Sequence, residues 1–306
     1  MHNICLFIHF SEGNEFPEYV RKYVLELSRH FQEVKLLSNP GKIISHTWSS
    51  NVELVFHPNV GNDFGRIYSY LHSVDLRAYD NLAIVNDSNW LIGDLKDVLD
   101  WDSICKYDLW GIIDSHEKPW YSNHIDSYHL QSHFLILGRK AISHLGTFFI
   151  QAGVHEIMTE KDAKTLRRMV IDRWEIGLTQ FMLSKGLITG SYINSFEFNR
   201  RFGLKLSANA THLLFEELIR EGYPLLKRKA IVHKTQMDTC QIHESFPEDI
   251  LIHYKGKFDQ PSNQDQGDIS LLNHKYVILK YRFLKLFKFG KKAINLFSLR
   301  LIFSNN

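Results

Sequence analysis

Short apolar runs that alternate with amphipathic segments constrain the fold of this chain more than any other feature. Strands that alternate with helices favour a mostly parallel sheet covered by helices on both faces. The strand predictions are Ile4–Phe10, Val34–Leu37, Val52–Phe56, Leu82–Val85 and Leu109–Ile113, with helices predicted at 17–31, 66–71, near Leu95, at 161–186 and at 208–221. We therefore expect an α/β fold over residues 1–235.

An acidic residue, Asp87, follows the apolar strand that ends at Val85, within the sequence Asn86-Asp87-Ser88. Ligands of open α/β sheets bind beyond the carboxyl ends of the strands, so a carboxylate here can hold a metal ion or a sugar hydroxyl. The alternative is a plain turn, because Asn, Asp and Ser side chains readily bond to nearby backbone.

A second polar segment with two glycines, Asn59-Val60-Gly61-Asn62-Asp63-Phe64-Gly65, follows the strand that ends at Phe56 and precedes a predicted helix. Glycine lets a ligand approach the main chain, and the first N–H groups of a helix attract phosphate or hydroxyl oxygens. The segment can therefore meet phosphate or hydroxyl oxygens of a ligand, although a short pair of glycines is a weak signal by itself.

Taken in order, six blocks of the chain resemble the rhamnan synthesis F family. The matching blocks are Asn59-x-Gly61-x-Asp63-x-Gly65, Asn86-Asp87-Ser88, Trp110-Gly111, His129-x-Gln131-Ser132-x-Phe134, Trp174-Glu175-Ile176-Gly177-Leu178 and Gly222-Tyr223-Pro224-Leu225-Leu226-Lys227. The resemblance implies a GT-A-like, Rossmann-like glycosyltransferase of bacterial surface polysaccharide assembly, such as lipopolysaccharide O-antigen or capsule.

The resemblance also implies which residues act. A sugar, with rhamnose as the leading guess, would pass from a nucleotide-diphosphate donor to a saccharide or lipid-linked saccharide acceptor. Glu175 is the leading candidate for the base of an inverting enzyme, and Asp114 is the reserve. The nucleotide would be bound by Asn59, Gly61, Asp63 and Gly65, with Asp63 at the base or ribose. The rest of the donor would be bound by Asn86, Asp87, Ser88, Trp110, His129, Gln131 and Ser132.

A divalent metal ion, Mg²⁺ or Mn²⁺, is expected at Asp87 if the reaction uses one. Many GT-A enzymes carry an Asp-x-Asp pair, whereas Asn86-Asp87-Ser88 has a single aspartate, and this departure weakens the expectation. The other assignments have alternatives too. Glu175 can be an acid favoured by the helix dipole, Trp110 a core residue and His129 a buried imidazole. The basic run Lys227-Arg228-Lys229 can meet a diphosphate or lipid phosphate, or can simply be solvated.

The last segment of the chain is basic and apolar. Residues 269–306 contain no Asp or Glu, and their lysines and aromatic residues fall on opposite sides of a helix. This pattern predicts an amphipathic helix on an anionic membrane, or else a helix packed on the protein. Residues 236–268 are predicted to be a linker. A net charge of +2 and the lack of a recognition motif argue against nucleic acid as a partner.

Three distant cysteines indicate neither a disulfide framework nor a cysteine zinc site, and the N-terminal apolar stretch is too short for a signal peptide. We therefore expect a cytoplasmic protein, peripheral at the inner face of the plasma membrane. Two other functions stay open. One is nucleotidyl transfer, which releases diphosphate from a nucleoside triphosphate, and the other is a non-catalytic assembly protein that binds saccharide without turnover.

Overall fold

An eight-stranded mixed sheet forms the centre of the computed structural model, which describes residues 1–10, 13–41 and 47–229. A separate pair, β5 with β10, is antiparallel. The strands are β1 (Asn3–Ile8), β2 (Glu33–Ser38), β3 (Val52–Phe56), β4 (Asn81–Asn86), β5 (Asn89–Leu91), β6 (Leu109–Ser115), β7 (His129–Leu130), β8 (Phe134–Gly138), β9 (Thr189–Ile193) and β10 (Leu225–Lys227).

The order of strands in the main sheet is β3-β2-β1-β4-β8-β6-β7, and β9 also pairs with β6. Strands β3, β2, β1 and β4 are parallel, as are β6 and β9. Strand β8 is antiparallel to both β4 and β6, so the carboxyl ends of β1, β4 and β6 lie at one edge. The prediction of a mostly parallel α/β sheet is confirmed.

Helices connect most of these strands. They are α1 (Glu18–His30), α2 (Asn62–Leu71), a 3-10 turn (Leu76–Ala78), α3 (Trp101–Ile104), α4 (Arg139–Gln151), α5 (Val154–Thr159), α6 (Ala163–Met169), a π-helical turn (Val170–Ile176), α7 (Gly177–Ser184), α8 (Ser195–Arg201), α9 (Ala210–Leu213) and α10 (Phe215–Arg220).

The sheet lies between two hydrophobic cores, and β1 shows how. Successive side chains of a strand point to opposite faces. Cys5 and Phe7 pack with α1 in one core, whereas Ile4, Leu6 and Ile8 pack in the other, against α2, α4 and α7. All five of these side chains are at most 1% exposed. The sheet is therefore packed on both faces, and this packing holds the backbone at its carboxyl edge in place.

Two helix predictions are wrong in detail. The helix expected near Leu95 is a turn, in which Asp94 Oδ1 accepts from Lys96 N at 3.1 Å and Leu95 N donates to Glu26. Such local bonds compete with a helix. The helix expected from Arg66 begins already at Asn62, so Asp63 and Gly65 lie within its first turn.

The predicted linker (236–268) and basic tail (269–306) lie outside the described residues, as do the last residues of the predicted domain. Those two predictions and the helical C-terminal extension therefore stay predictions. In the part of the chain that the structure describes, no helix combines the length and the apolar character that a membrane span requires.

Candidate functional site

Asp87 lies just beyond the end of β4, surrounded by groups from three distant parts of the chain. Its Oδ2 lies 2.7 Å from His9 Nδ1, which follows β1, and accepts a hydrogen bond of 3.2 Å from the Tyr19 hydroxyl of α1. The Arg228 guanidinium lies 3.5 Å from the same oxygen and 4.7 Å from the centre of the Tyr19 ring. The predicted acidic position is thus the centre of a polar group, which we call the Asp87 cluster: His9, Tyr19, Asp87 and Arg228.

Asn86 forms the turn after β4 and also links that turn to α2. Its Oδ1 accepts from Ser88 N at 3.1 Å, which makes the turn. Its Nδ2 donates to Asp63 Oδ2 at 3.0 Å, so the same side chain ties the end of β4 to the start of α2. Asn86, Ser88 and Asp63 are brought together with Asp87, as the sequence analysis expected.

The two glycines of the preceding segment have structural reasons to be glycine. Gly61 has a φ of 71°, in the left-handed region that glycine favours. A Cβ on Gly65 would stand 2.0 Å from the carbonyl oxygen of Val60. The pair therefore lets the chain fold tightly into α2, and this explains the glycines without a ligand. Asn59 is exposed and precedes this turn.

Asp63 has an unusual acidity for a carboxyl group. Desolvation and, to a smaller extent, the charge of Asp87 raise its pKa to about 7, against the opposing effect of Arg66. The charge of Glu175 also raises the pKa of Asp63. Asp87 and Glu175 are therefore both near enough to Asp63 for their charges to act on its carboxyl group.

Arg66 is a buried cation that sequence reasoning missed. It is 1% exposed, and its Nη1 donates to the carbonyl oxygen of His9 at 2.6 Å. Its Nε and Nη2 find no hydrogen-bond partner among the described residues. Burial lowers the pKa of Arg66, whereas the charges of Asp63 and Asp87 raise it. An arginine directly after the glycine segment was the available signal.

Glu175 lies in the π-helical turn Val170–Ile176, which packs against α2. Single π-helical turns occur frequently at functional sites. The turn continues α6 and leads into α7, so Glu175 is in mid-helix and the dipole explanation does not apply. Desolvation raises its pKa, opposed mainly by the charge of Lys227. Within the described residues the half-buried carboxylate has no hydrogen bond, so its oxygens are free to accept a proton.

Asp114, the reserve base, is engaged in holding the fold. It is 2% exposed, its Oδ2 accepts from Ser191 Oγ at 2.8 Å, and its Oδ1 accepts from Ser195 N at 2.7 Å. Both oxygens thus join the end of β6 to β9 and to the start of α8. This geometry suits a structural carboxylate better than a base.

Of the other residues that were predicted to bind the sugar donor, some belong to the core and some lie near the site. Trp110 is 4% exposed and packs edge-to-face on Phe134, with ring centres 6.4 Å apart, so it is a core residue. His129 is 7% exposed, and burial lowers its pKa, which favours the neutral imidazole. Its Nδ1 lies 2.7 Å from the Ser127 carbonyl oxygen. The buried-imidazole interpretation fits His129.

Gln131 and Ser132 lie between β7 and β8. Gln131 is buried, and its Oε1 accepts from Thr211 Oγ1 at 3.3 Å, while its Nε2 donates to Asn209 Oδ1 at 3.4 Å. Asn209 in turn donates to Glu117 at 2.9 Å. Gln131, Asn209 and Glu117 are therefore linked by hydrogen bonds. The charge of Glu117 raises the pKa of Glu175. Ser132 is half-buried.

The basic run Lys227-Arg228-Lys229 is solvated only in part: Lys229 is exposed, whereas Lys227 and Arg228 are half-buried. Lys227 pairs with Asn89 in the β10–β5 ladder, directly after the turn that carries Asp87. It is half-buried, and desolvation lowers its pKa, opposed by the charges of Glu175 and Glu117. Arg228 Nη1 also donates to the Asp87 carbonyl oxygen at 3.2 Å. Arg228 thus contacts Asp87, while the charge of Lys227 acts on Glu175.

The surroundings of Asp87 do not fit the divalent metal ion that the sequence analysis expected there. In the described ranges, no three His, Cys, Asp or Glu side chains group as metal ligands do. Magnesium is often held by one or two carboxylates together with substrate phosphates, so the charges beside Asp87 matter more than the number of ligands. Asp87 Oδ2 instead faces His9, Tyr19 and the cation of Arg228, and the charge of Arg66 acts on both Asp63 and Asp87. Two guanidinium groups would repel a metal ion at this position.

An exposed aromatic pair, Trp120 and Tyr121, lies on the loop after β6. Trp120 is 83% exposed, and its ring contacts Tyr121 edge-to-face with centres 5.6 Å apart. Arg168 of α6 lies 5.1 Å above Trp120 and 5.5 Å above Tyr121. Desolvation and, after it, the charge of Glu175 raise the pKa of Tyr121.

Comparisons with solved structures find similar layouts at low identity. The glycosyltransferase GlyE of Streptococcus pneumoniae TIGR4 is 14% identical, with 86% of this chain and 66% of that chain covered and a TM-score of 0.39. A galactosyltransferase, LgtC, is 12% identical over 55% and 70% of the two chains, with a TM-score of 0.34. The 4-diphosphocytidyl-2C-methyl-D-erythritol synthase of Anaerococcus prevotii is 8% identical over 63% and 88%, with a TM-score of 0.40. None of these likenesses assigns an activity to the chain.

Curated proteins give no match. Residues 45–281 match the family described as Rhamnan synthesis protein F, and this range is more than half of the chain. It includes α2 with Asp63 and Arg66, the Asp87 turn, the π-helical turn with Glu175 and the basic run. The family that the six sequence blocks resembled is thereby confirmed: the chain belongs to the Rhamnan synthesis protein F family.

Proposed function

We propose that this protein transfers a sugar from a nucleotide-diphosphate donor to a hydroxyl group of a saccharide acceptor, at the carboxyl edge of the sheet. The observation that supports the proposal is a group of charged side chains near the end of β4: the charges of Asp87 and Glu175 act on Asp63, Arg228 lies 3.5 Å from Asp87, and the charge of Glu175 acts on Lys227. Such an arrangement offers a proton acceptor, cations and hydroxyl-binding oxygens around one space.

The donor occupies the side of Asp63 and Asp87. Carboxylates accept hydrogen bonds from sugar hydroxyl groups, so Asp63 and Asp87 suit the ribose or the transferred sugar. Asn86 positions Asp63 through the 3.0 Å bond between them. Trp110 and His129 have no part in this proposal, because both belong to the core.

The acceptor occupies the side of Glu175. Its carboxylate takes the proton of the acceptor hydroxyl while that oxygen bonds to the anomeric carbon and the bond to the diphosphate breaks. The electron pair of the broken bond stays on the nucleoside diphosphate. Attack from the side opposite the leaving group would invert the anomeric configuration. Trp120, exposed beside Tyr121, offers an apolar ring face on which a sugar of the acceptor can lie.

The description of the family names rhamnan synthesis, and we propose a deoxythymidine-diphosphate rhamnose as the first donor to assay. Polysaccharide assembly of the O-antigen or capsule type would supply a saccharide or lipid-linked saccharide as acceptor. We also propose that residues 269–306 hold the protein at the inner face of the plasma membrane. Deletion of these residues tests this: the deleted protein should no longer sediment with anionic vesicles, and unchanged sedimentation contradicts the proposal.

The donor site is tested by ligand-detected NMR against a panel of nucleoside diphosphates and nucleotide sugars. We expect one nucleotide family to bind, with weaker binding to Asp63→Ala and Asp87→Ala. Asp75→Ala is the matched control, because Asp75 is an exposed acid that pairs with Arg77 on the surface. Absence of binding to the folded wild-type protein across the panel contradicts the proposal. Release of a nucleoside diphosphate identifies sugar transfer, whereas release of diphosphate from a nucleoside triphosphate identifies nucleotidyl transfer.

A further inference from the structure

The basic run Lys227-Arg228-Lys229 is built into the site by backbone pairing as well as by charge. Strand β10 pairs with β5, which places Lys227 opposite Asn89, two residues after Asp87. Arg228 N also donates to the Ser88 carbonyl oxygen at 3.1 Å, one residue after Asp87. The two short strands thus hold the basic run against the turn at the end of β4.

Arg228 is anchored in a way that leaves part of its guanidinium available. Its Nη1 donates to the Asp87 carbonyl oxygen at 3.2 Å and lies 3.5 Å from Asp87 Oδ2, while the group rests on the Tyr19 ring. A guanidinium carries five N–H donors in a planar fork, so one nitrogen can stay on Asp87 while the others bind a phosphate. The side chain is 40% exposed, which gives a ligand access to it.

Three cations of the protein lie near the acidic groups of the site. Arg66 is buried beside Asp63 and Asp87, and Arg228 contacts Asp87 directly. Lys227 faces the charges of Glu175 and Glu117. A divalent ion would have to displace or approach these fixed positive charges. Arg228 and Lys227 are thus cations that an anionic group of a ligand can approach.

We propose that Arg228 and Lys227 bind the diphosphate of the donor and supply the positive charge that its departure requires, so that the transfer proceeds without a divalent metal ion. This inference rests on the proposed function. When the bond between the anomeric carbon and the diphosphate oxygen breaks, the electron pair stays on that oxygen. The guanidinium and ammonium groups neutralise the charge that develops there. Arg228 is then a catalytic residue because it touches the leaving group.

Calorimetric titration in excess chelator tests this inference with a nucleoside, its monophosphate and its diphosphate, using the base that the panel identifies. We expect the diphosphate to bind most tightly, and Arg228→Ala to weaken diphosphate binding about tenfold while nucleoside binding stays unchanged. Arg228→Lys keeps the charge and should recover part of the loss. Arg77→Ala is the matched control, since Arg77 is an exposed arginine paired with Asp75 on the surface.

The same proteins are then assayed for sugar transfer in chelator and after addition of magnesium or manganese. Full turnover in chelator, reduced in Arg228→Ala but not in Arg77→Ala, is the expected result. Turnover that appears only with a metal ion, or that is unchanged in Arg228→Ala, overturns the inference and leaves the proposed function standing. Absence of binding and turnover under both conditions overturns the proposed function and the inference together.

Discussion

Asp114 and Glu175 are two buried or half-buried carboxylates that the sequence offered for the same role, and their surroundings separate them. Asp114 accepts hydrogen bonds on both oxygens, from Ser191 and from the backbone of Ser195. Glu175 is held by a π-helical turn and is influenced by Lys227 and Arg167 through charge, without a hydrogen bond among the described residues. A carboxylate whose oxygens are all used maintains structure, whereas one left free beside cations can exchange a proton.

The largest effect is expected at Glu175. Glu175→Gln removes the proton acceptor and preserves the shape, so kcat for sugar transfer should fall about 10²- to 10⁴-fold. The free energy of unfolding at neutral pH should rise, since Gln removes a carboxylate whose charged form is disfavoured by desolvation, as its raised pKa indicates. Steady-state kinetics beside a urea titration measures both. A variant that keeps wild-type kcat contradicts the assignment of Glu175 as the base.

Asp114→Ala is expected to act on stability. It leaves the Ser191 hydroxyl and the Ser195 N–H without their acceptor, at a cost of about 2–4 kcal/mol in the free energy of unfolding. The urea midpoint measures this loss. Turnover of the fraction that remains folded should stay within a few-fold of wild type, and a loss of kcat as large as that of Glu175→Gln would reverse the comparison.

The free energy of unfolding should depend on pH through Asp63. Its pKa is 3.8 in an unperturbed chain and about 7 in the folded protein. Between these values the folded state holds a proton that the unfolded state has released, so this group lowers stability as the pH rises from about 4 to 7. Asp63→Asn removes that decline, about 4 kcal/mol for a difference of about three pKa units, without removing the oxygen that Asn86 contacts.

The measurement for Asp63 is a urea titration of both proteins across pH 4 to 8. The difference between the two curves isolates Asp63, because Glu175 and the other groups titrate in both proteins. The variant should gain stability relative to wild type as the pH rises and then level off above pH 7. Parallel curves over the whole range contradict the raised pKa.

The smallest effect is expected at Trp120. Trp120→Ala removes an exposed ring, so KM for a saccharide acceptor should rise about 3- to 10-fold while kcat and donor binding change little. Ile150→Ala is the matched control, because Ile150 is also an exposed apolar residue, at 79%, but lies on α4. Equal KM values for the two variants would remove Trp120 from the acceptor side.

Local patterns predicted most of the sheet. The strands that end at Ile8, Phe56 and Asn86 lie within about two residues of their predicted ends, because apolar runs bounded by polar turns are a local signal. The turn at Leu95 was missed because it depends on Glu26, which accepts from Leu95 N across 69 residues. No local pattern reports such a contact.

The site was predicted in part for the same reason. Asp63, Asn86, Asp87 and Ser88 follow strands or start a helix, and their meeting at one edge follows from the parallel sheet. The partners of Asp87 come from elsewhere, since Arg228 is 141 residues away. Trp110 belongs to the core because it is buried, and Asp114 is structural because both of its oxygens accept hydrogen bonds. A single sequence shows neither property.

The most direct measurement is a crystal structure of the protein with the nucleoside diphosphate that the binding panel identifies, grown in chelator. The account predicts the diphosphate against Arg228 and Lys227, the ribose near Asp63 and Asp87, and Glu175 open on the acceptor side. A nucleotide bound elsewhere, or a diphosphate that does not touch Arg228, would contradict it.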